Sequence, residues 1–184
     1  MRRPAAGFTM VEVLVAVLLL AVGLVGALAM QAHAMRTRQE SALLTEALQD
    51  AAALADRIRA NAAQSSAYLG FEFDATADAA QPAPAATDCS GAACDPTALA
   101  RHELAEFRHQ LQSSLPSARA LTCRDSSAAL GGRLQWTCSG EAGAPIVIKI
   151  GWHSSARGAG SGTVADAGPG VVLPVALFSP GGRP

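Results

Sequence analysis

Aromatic residues make up only 4% of this 184-residue chain, and lysine is almost missing: Lys149 is the single lysine beside 13 arginines. An excess of positive charge is absent too, because 14 Lys+Arg stand against 15 Asp+Glu, for a formal net charge of -1. That balance argues against a nucleic-acid binder whose affinity rests on a basic surface. Half of the residues are hydrophobic, yet 41 of the 184 are alanine, so much of the apolar surface is small methyl groups rather than large core side chains. Abundant Ala together with Arg in place of Lys reads as a compositional bias, and an isolated arginine carries little functional weight here. Only four cysteines are present.

What the chain does have is one long apolar run. From Val13 to Met30, 18 consecutive residues carry no charged or strongly polar side chain, and extending back to Phe8 gives 23 residues broken only by Thr9 and Glu12. At about 1.5 Å per residue, 23 helical residues span roughly 35 Å, enough for a hydrocarbon core of about 30 Å. Arg2 and Arg3 fit the basic start of a secretory signal, and Ala27, Ala29, Ala32 and Ala34 offer small residues for a signal peptidase. Glu12 does not fit: a carboxylate at the head of a membrane segment is expensive and by default functional. Arg2 and Arg3 before the run are matched by Arg36 and Arg38 after it, so flanking charge sets no orientation.

The stretch Gly7-Phe8-Thr9-Met10-Val11-Glu12-Val13-Leu14-Val15-Ala16 resembles the class III signal of type IV pilins and type II secretion pseudopilins. The features shared are a short basic leader ending in Gly, then Phe-Thr, two apolar residues, Glu and a long apolar helix. The resemblance implies that a prepilin peptidase cuts between Gly7 and Phe8 and methylates the new Phe8 amine, so that residues 1–7 are a leader. Two looser matches, Ala53-Leu-Ala-Asp-Arg-Ile-Arg-Ala-Asn61 and Leu104-Ala-Glu-Phe-Arg-His-Gln-Leu111 with Leu115-Pro116, resemble minor pilins of the PilV type. The three matches cover about a third of the chain. The implied fold is α+β: a long N-terminal helix, membrane-spanning in its first half, packed on a small antiparallel β-sheet head.

The residues themselves support that layout. Leu44, Leu48, Ala51, Ala55 and Ile58 recur at helical spacing, with Glu46, Gln49, Asp50, Asp56 and Arg57 largely off the stripe. One helix from about residue 8 to 61 is expected, on the order of 80 Å long, with residues 8–30 as the membrane and assembly half and 31–61 as the amphipathic half. Gly23 and Ala27 make a small-xxx-small pair. Residues 62–94 read as irregular, being rich in Ala, Pro, Asp and Gly toward their end. Asp95-Pro96 supplies an N-cap and a Pro at the first helical position for a helix over 95–115. Residues 119–178 then read as a meander of four strands (119–123, 133–138, 145–153 and 171–178). Pro174 demotes the last to an edge or broken strand. A Gly-rich connection covers 154–170, and the tail at 181–184 reads as frayed.

No catalytic constellation rises above background, and no cofactor is expected. Cys89 and Cys94 are spaced like a metal half-site, but Cys123 and Cys138 lie 15 apart and no His accompanies either pair in sequence, so no metal site is expected. If the head is periplasmic, disulfides are the default. Of three possible pairings, Cys89–Cys94 and Cys123–Cys138 are favoured, the first closing a short loop and the second tying neighbouring strands. His102 and His109, seven apart on one helix face, read as solvated. The run Gly158-Ala-Gly-Ser-Gly162 lacks the spacing and Lys of a phosphate loop.

These readings converge on a non-enzymatic minor pilin that enters or primes a type IV pilus through its N-terminal helix. Glu12 is then the assembly determinant. The expected partners are other minor and major pilins, the prepilin peptidase and the inner membrane, with the head in the periplasm and then on the pilus. A minor pseudopilin of a type II secretion system is the alternative, and a membrane-anchored periplasmic binding protein or enzyme is the reading from outside the family.

Overall fold

The computed structural model describes residues 7, 9–77, 89, 91, 93–153 and 168–177. The chain divides into two compact units, residues 1–39 and 40–184. The fold is α+β. Helix α1 runs over Met10–Ala60, a 3-10 helix over Ala62–Tyr68, and helix α2 over Pro96–Ser114. Strands follow as β1 (Glu72–Asp74), β2 (Arg119–Arg124), β3 (Ala129–Leu130), β4 (Arg133–Leu134), β5 (Ile146–Gly151) and β6 (Val171–Val175).

In the first unit α1 is apolar and unburied. An 18-residue window of the helix has mean hydropathy 2.9 and no residue buried. It is long and apolar enough to cross a membrane.

The second unit is the head. Its main sheet is antiparallel throughout, in the order β1-β2-β5-β6. Alternation along β5 sends Ile146, Ile148 and Ile150 to one face, where they join Leu54 and Ile58 of α1 and Phe107 and Leu111 of α2 in the core. Val147 and Lys149 fall on the opposite face and are buried as well, so β5 is covered on both sides. The second cover is the loop between β2 and β5. It is tied down by the Cys123–Cys138 bond and by the stacking of the Arg119 guanidinium on Trp136, 4.6 Å from the ring centre. β6 pairs on one side only and carries Pro174, as expected of an edge strand.

Several expectations need correcting. The stripe of α1 that meets the core is Ala47, Ala51, Leu54, Ala55 and Ile58, whereas Leu44 and Leu48 are 40% and 46% exposed. The side of α1 that faces the core over residues 47–58 is largely alanine, and the larger leucines at 44 and 48 lie at its margin. Asp50, read as lying off the stripe, is fully buried. Residues 62–94 are not uniformly irregular, since they contain the 3-10 helix and β1. Residues 133–138 do not form a strand of the main sheet. Only Arg133–Leu134 is strand, paired with Ala129–Leu130 in a separate small hairpin. The carbonyls of Gln135, Trp136 and Thr137 are turned instead toward the Lys149 ammonium. The Gly-rich connection is described only from residue 168, the last strand ends at Val175, and residues 178 and 181–184 lie outside the described residues.

α2 begins as its sequence dictates. The Asp95 side chain accepts the Thr97 and Ala98 amides at 2.9 and 3.1 Å, and Pro96 takes the first helical position. It stops before Pro116, which disfavours helical backbone at Leu115.

Candidate functional site

The start of α1 is built by Thr9. Its hydroxyl oxygen accepts the Glu12 amide at 3.3 Å, and its carbonyl accepts the amides of Glu12 and Val13 at 3.1 and 3.3 Å. Thr9 is thus the N-cap, and Glu12 sits three residues later. There its carboxylate complements the positive end of the helix dipole. The Thr-x-x-Glu spacing was a capping-box signal that the sequence reading passed over. Glu12 is exposed, as are Gly7 and the apolar residues that follow, and an added Cβ at Gly7 would meet nothing within 4 Å. Phe8, the expected first residue of the mature chain, lies outside the described residues. Its expected pairing with Glu12 and the cleavage junction therefore have no geometry here.

The segment so arranged offers a carboxylate in the first helical turn and then two dozen exposed, mainly apolar side chains. Such a surface is stable only in lipid or against other helices. The prokaryotic N-terminal methylation motif matches residues 2–28. The chain carries a prepilin-type signal. The match supports a protein of the type IV pilin family, and with the apolar helix it supports membrane anchoring with a head domain. No curated protein and no solved structure matches the chain.

On the head, Cys89 is bonded to Cys94 and Cys123 to Cys138. Beneath the second bond lies a polar cluster that the sequence reading missed. Lys149 Nζ donates to Asp125 Oδ2 at 2.6 Å and to the carbonyls of Gln135 and Thr137 at 2.7 and 2.8 Å, with both charged side chains buried. Asp125 Oδ1 also accepts the amides of Ser127 and Ser139. Burial pushes the Asp125 carboxyl up, but the hydrogen bonds from Lys149 and the two amides outweigh it and hold the group below its ordinary range. The one available signal was a lone lysine inside an alternating apolar strand.

A second polar cluster, buried at Tyr68 and open toward Glu106, joins α1, the 3-10 helix and α2. The Tyr68 hydroxyl donates to Glu103 Oε2, Asn61 Nδ2 donates to the Pro96 carbonyl at 2.8 Å, and Arg57 meets Glu106 at 3.2 Å. Burial first, and then the bond to Glu103, push the Tyr68 hydroxyl up to about 12. His102 lies 3.4 Å from Glu106, while His109 and His33 are exposed. A groove of about 330 Å³ on α2 is floored by Phe71, Leu104 and Ala105 and rimmed by Arg101 and Arg108. Among the described residues no group of three or more His, Cys, Asp or Glu gathers to hold a metal. The Gly158–162 run lies outside them.

Proposed function

We propose that this chain is a minor pilin of the PilV type, a structural subunit rather than an enzyme, which enters a type IV pilus or primes its assembly. The observation that carries this reading is the Gly7-Phe8-Thr9 junction leading into α1, with Glu12 in the first turn and an unburied apolar run behind it. Prepilin peptidase would release residues 1–7 and methylate the Phe8 amine. Until then the inner membrane would hold the apolar half of α1, with the head in the periplasm. On assembly, the Glu12 carboxylate of one subunit and the Phe8 ammonium of another offset each other's desolvation cost. The major pilin and other minor pilins are the partners in that step, and the mature head reaches the cell surface on the filament.

The same signal opens the pseudopilins of type II secretion, so the second reading is a minor pseudopilin. Deleting the gene separates the two. Loss of pili and twitching with secretion intact supports the minor pilin. Loss of secretion with twitching intact replaces it with the pseudopilin, and two intact phenotypes reject both readings in favour of a membrane-anchored binding protein or enzyme.

A further inference from the structure

Between Glu12 and Glu40 the chain has no acidic residue, and immediately past the apolar run it places His33, Arg36 and Arg38. All three lie on α1 and are exposed. Among the described residues neither arginine forms an ion pair, although Arg57, Arg59 and Arg119 all do. The positive-inside tendency disfavours arginine on the translocated side of a span. These two would be carried there if the leader end stays in the cytoplasm, so their position calls for a compensating partner.

Spacing along the helix identifies the partner. The last residue of the apolar run is Met30, and Arg36 and Arg38 follow by six and eight residues, or about 9 and 12 Å of helix. A hydrocarbon core of about 30 Å inside a bilayer of about 40–45 Å leaves a headgroup layer of about 5–7.5 Å on each side, and arginine side chains, which lean toward the helix N-terminus and snorkel, reach back into it. From Glu12 to Arg36 is 24 residues, or about 36 Å. With Arg36 seated about 6 Å outside a hydrocarbon core of about 30 Å, Glu12 falls at the opposite boundary of that core. Arg36 and Arg38 are separated by about 200° around the helix, so they face opposite sides and meet lipid rather than one shared protein surface.

We propose that Arg36 and Arg38 bind the phosphate groups of anionic phospholipids at the periplasmic surface of the membrane, and thereby fix the depth of α1 so that Glu12 rests at the opposite interface. This rests on the reading of α1 as membrane-inserted. Each arginine near an anionic surface strengthens attachment by about fivefold. The interaction is held by guanidinium–phosphate hydrogen bonds and weakens as salt screens it. Such an anchor holds Glu12 at the interface while it waits for a partner amine, and it is released when the subunit leaves the bilayer.

The test uses the full chain reconstituted into vesicles of phosphatidylcholine, alone or mixed with phosphatidylglycerol. Insertion is scored by resistance to carbonate extraction. Lipid selectivity is read by electron paramagnetic resonance from spin-labelled phosphatidylglycerol and phosphatidylcholine at the protein surface. The wild type should favour phosphatidylglycerol several-fold at low salt, and Arg36→Gln/Arg38→Gln should insert normally and show a ratio near one. An inserted wild type with no preference, or a double variant that keeps the full preference, overturns the proposal. A wild type extracted by carbonate overturns the membrane reading and this inference with it. The pilin reading is judged separately, by the deletion phenotypes.

Discussion

The Asp50 carboxylate of α1 accepts the Ser114 hydroxyl of α2 at 2.8 Å, across 64 positions of sequence. Gln110 donates to its other oxygen at 2.5 Å. Burial raises the Asp50 pKa, the Ser114 bond lowers it, nearby Glu46 raises it again and the Gln110 bond lowers it, for a net position above 3.8. The folded chain therefore holds this proton more tightly than the unfolded chain, and its contribution to stability falls as pH rises from 3.8 through the folded value. Asp50→Asn keeps an acceptor for Gln110 and a donor for Ser114, so it should match or exceed the parent at pH 7 and lose this pH dependence. Asp50→Ala leaves two partners unsatisfied and should cost about 1–3 kcal/mol. Urea denaturation in detergent at pH 4 and 7 measures both.

Lys149→Met should be far more damaging. It strands the Asp125 carboxylate and the carbonyls of Gln135 and Thr137 in a dry site, at a cost of about 3–5 kcal/mol. Asp125 has the opposite sign from Asp50. Its folded pKa lies below 3.8, so its stabilisation is complete above that value and is lost as pH falls through the folded one. Acid denaturation followed by tryptophan fluorescence should therefore show the parent losing stability below pH 3.8, and Lys149→Met already destabilised at neutral pH.

The two disulfides should differ in weight. In the loop-entropy picture, the bond spanning 15 positions contributes about 3 kcal/mol and the one spanning 5 about 2 kcal/mol. Cys123→Ser/Cys138→Ser should exceed its loop term, because the same bond holds the carbonyls around Lys149 in place. Alkylation of unreduced protein should label none of the four cysteines, and thermal melts of the paired variants rank the bonds.

At α2, Asp95→Ala removes the acceptor for the Thr97 and Ala98 amides. The expected loss is about 0.5–2 kcal/mol, with Asp95→Asn close to the parent in chemical denaturation.

Maturation and assembly can be read separately. Gly7→Val should block removal of the leader, and mass spectrometry of the parent should find a chain beginning at methylated Phe8. A mature terminus near Ala32 or Ala34 would show an ordinary secretory signal instead. Glu12→Ala should insert and mature normally yet fall at least severalfold in sheared filaments, with Glu12→Gln intermediate. Immunoblots of filament and membrane fractions give the ratio, and a normal level for Glu12→Ala would remove the carboxylate from the assembly step.

How much the sequence disclosed depended on whether a signal was local. The Asp95-Pro96 cap, the Pro116 stop and the apolar run are written within a few residues, and α1 and α2 begin and end close to their expected bounds; the Thr9 cap is equally local but was not among the signals read. Pro174 likewise marked an edge. The failures were tertiary. Residues 135–137 alternate like a strand, but their carbonyls are claimed by a lysine side chain from the middle of the sheet. Asp50 looks solvent-facing by periodicity, and only Gln110 and Ser114, some 60 positions away, make its burial affordable. β1 is three residues with two carboxylates, too short and too polar for any pattern to reveal. At the candidate site, Glu12 stood out because its cost in lipid is intrinsic to one residue, whereas the Lys149–Asp125 pair exists only once β2 and β5 are joined.

The lone, enclosed lysine also decides how this protein responds to chemical labelling. Lys149 is the single lysine of the chain and its side chain is 0% exposed. An amine-directed ester added to the folded protein therefore finds no side-chain target and can react only at the α-amino group. One dye per chain reports on the N-terminus alone, and a second is taken up only when the head opens. Aldehyde fixatives have equally little to grip, so fixation chemistries that rely on surface lysines will under-represent this subunit beside lysine-rich neighbours.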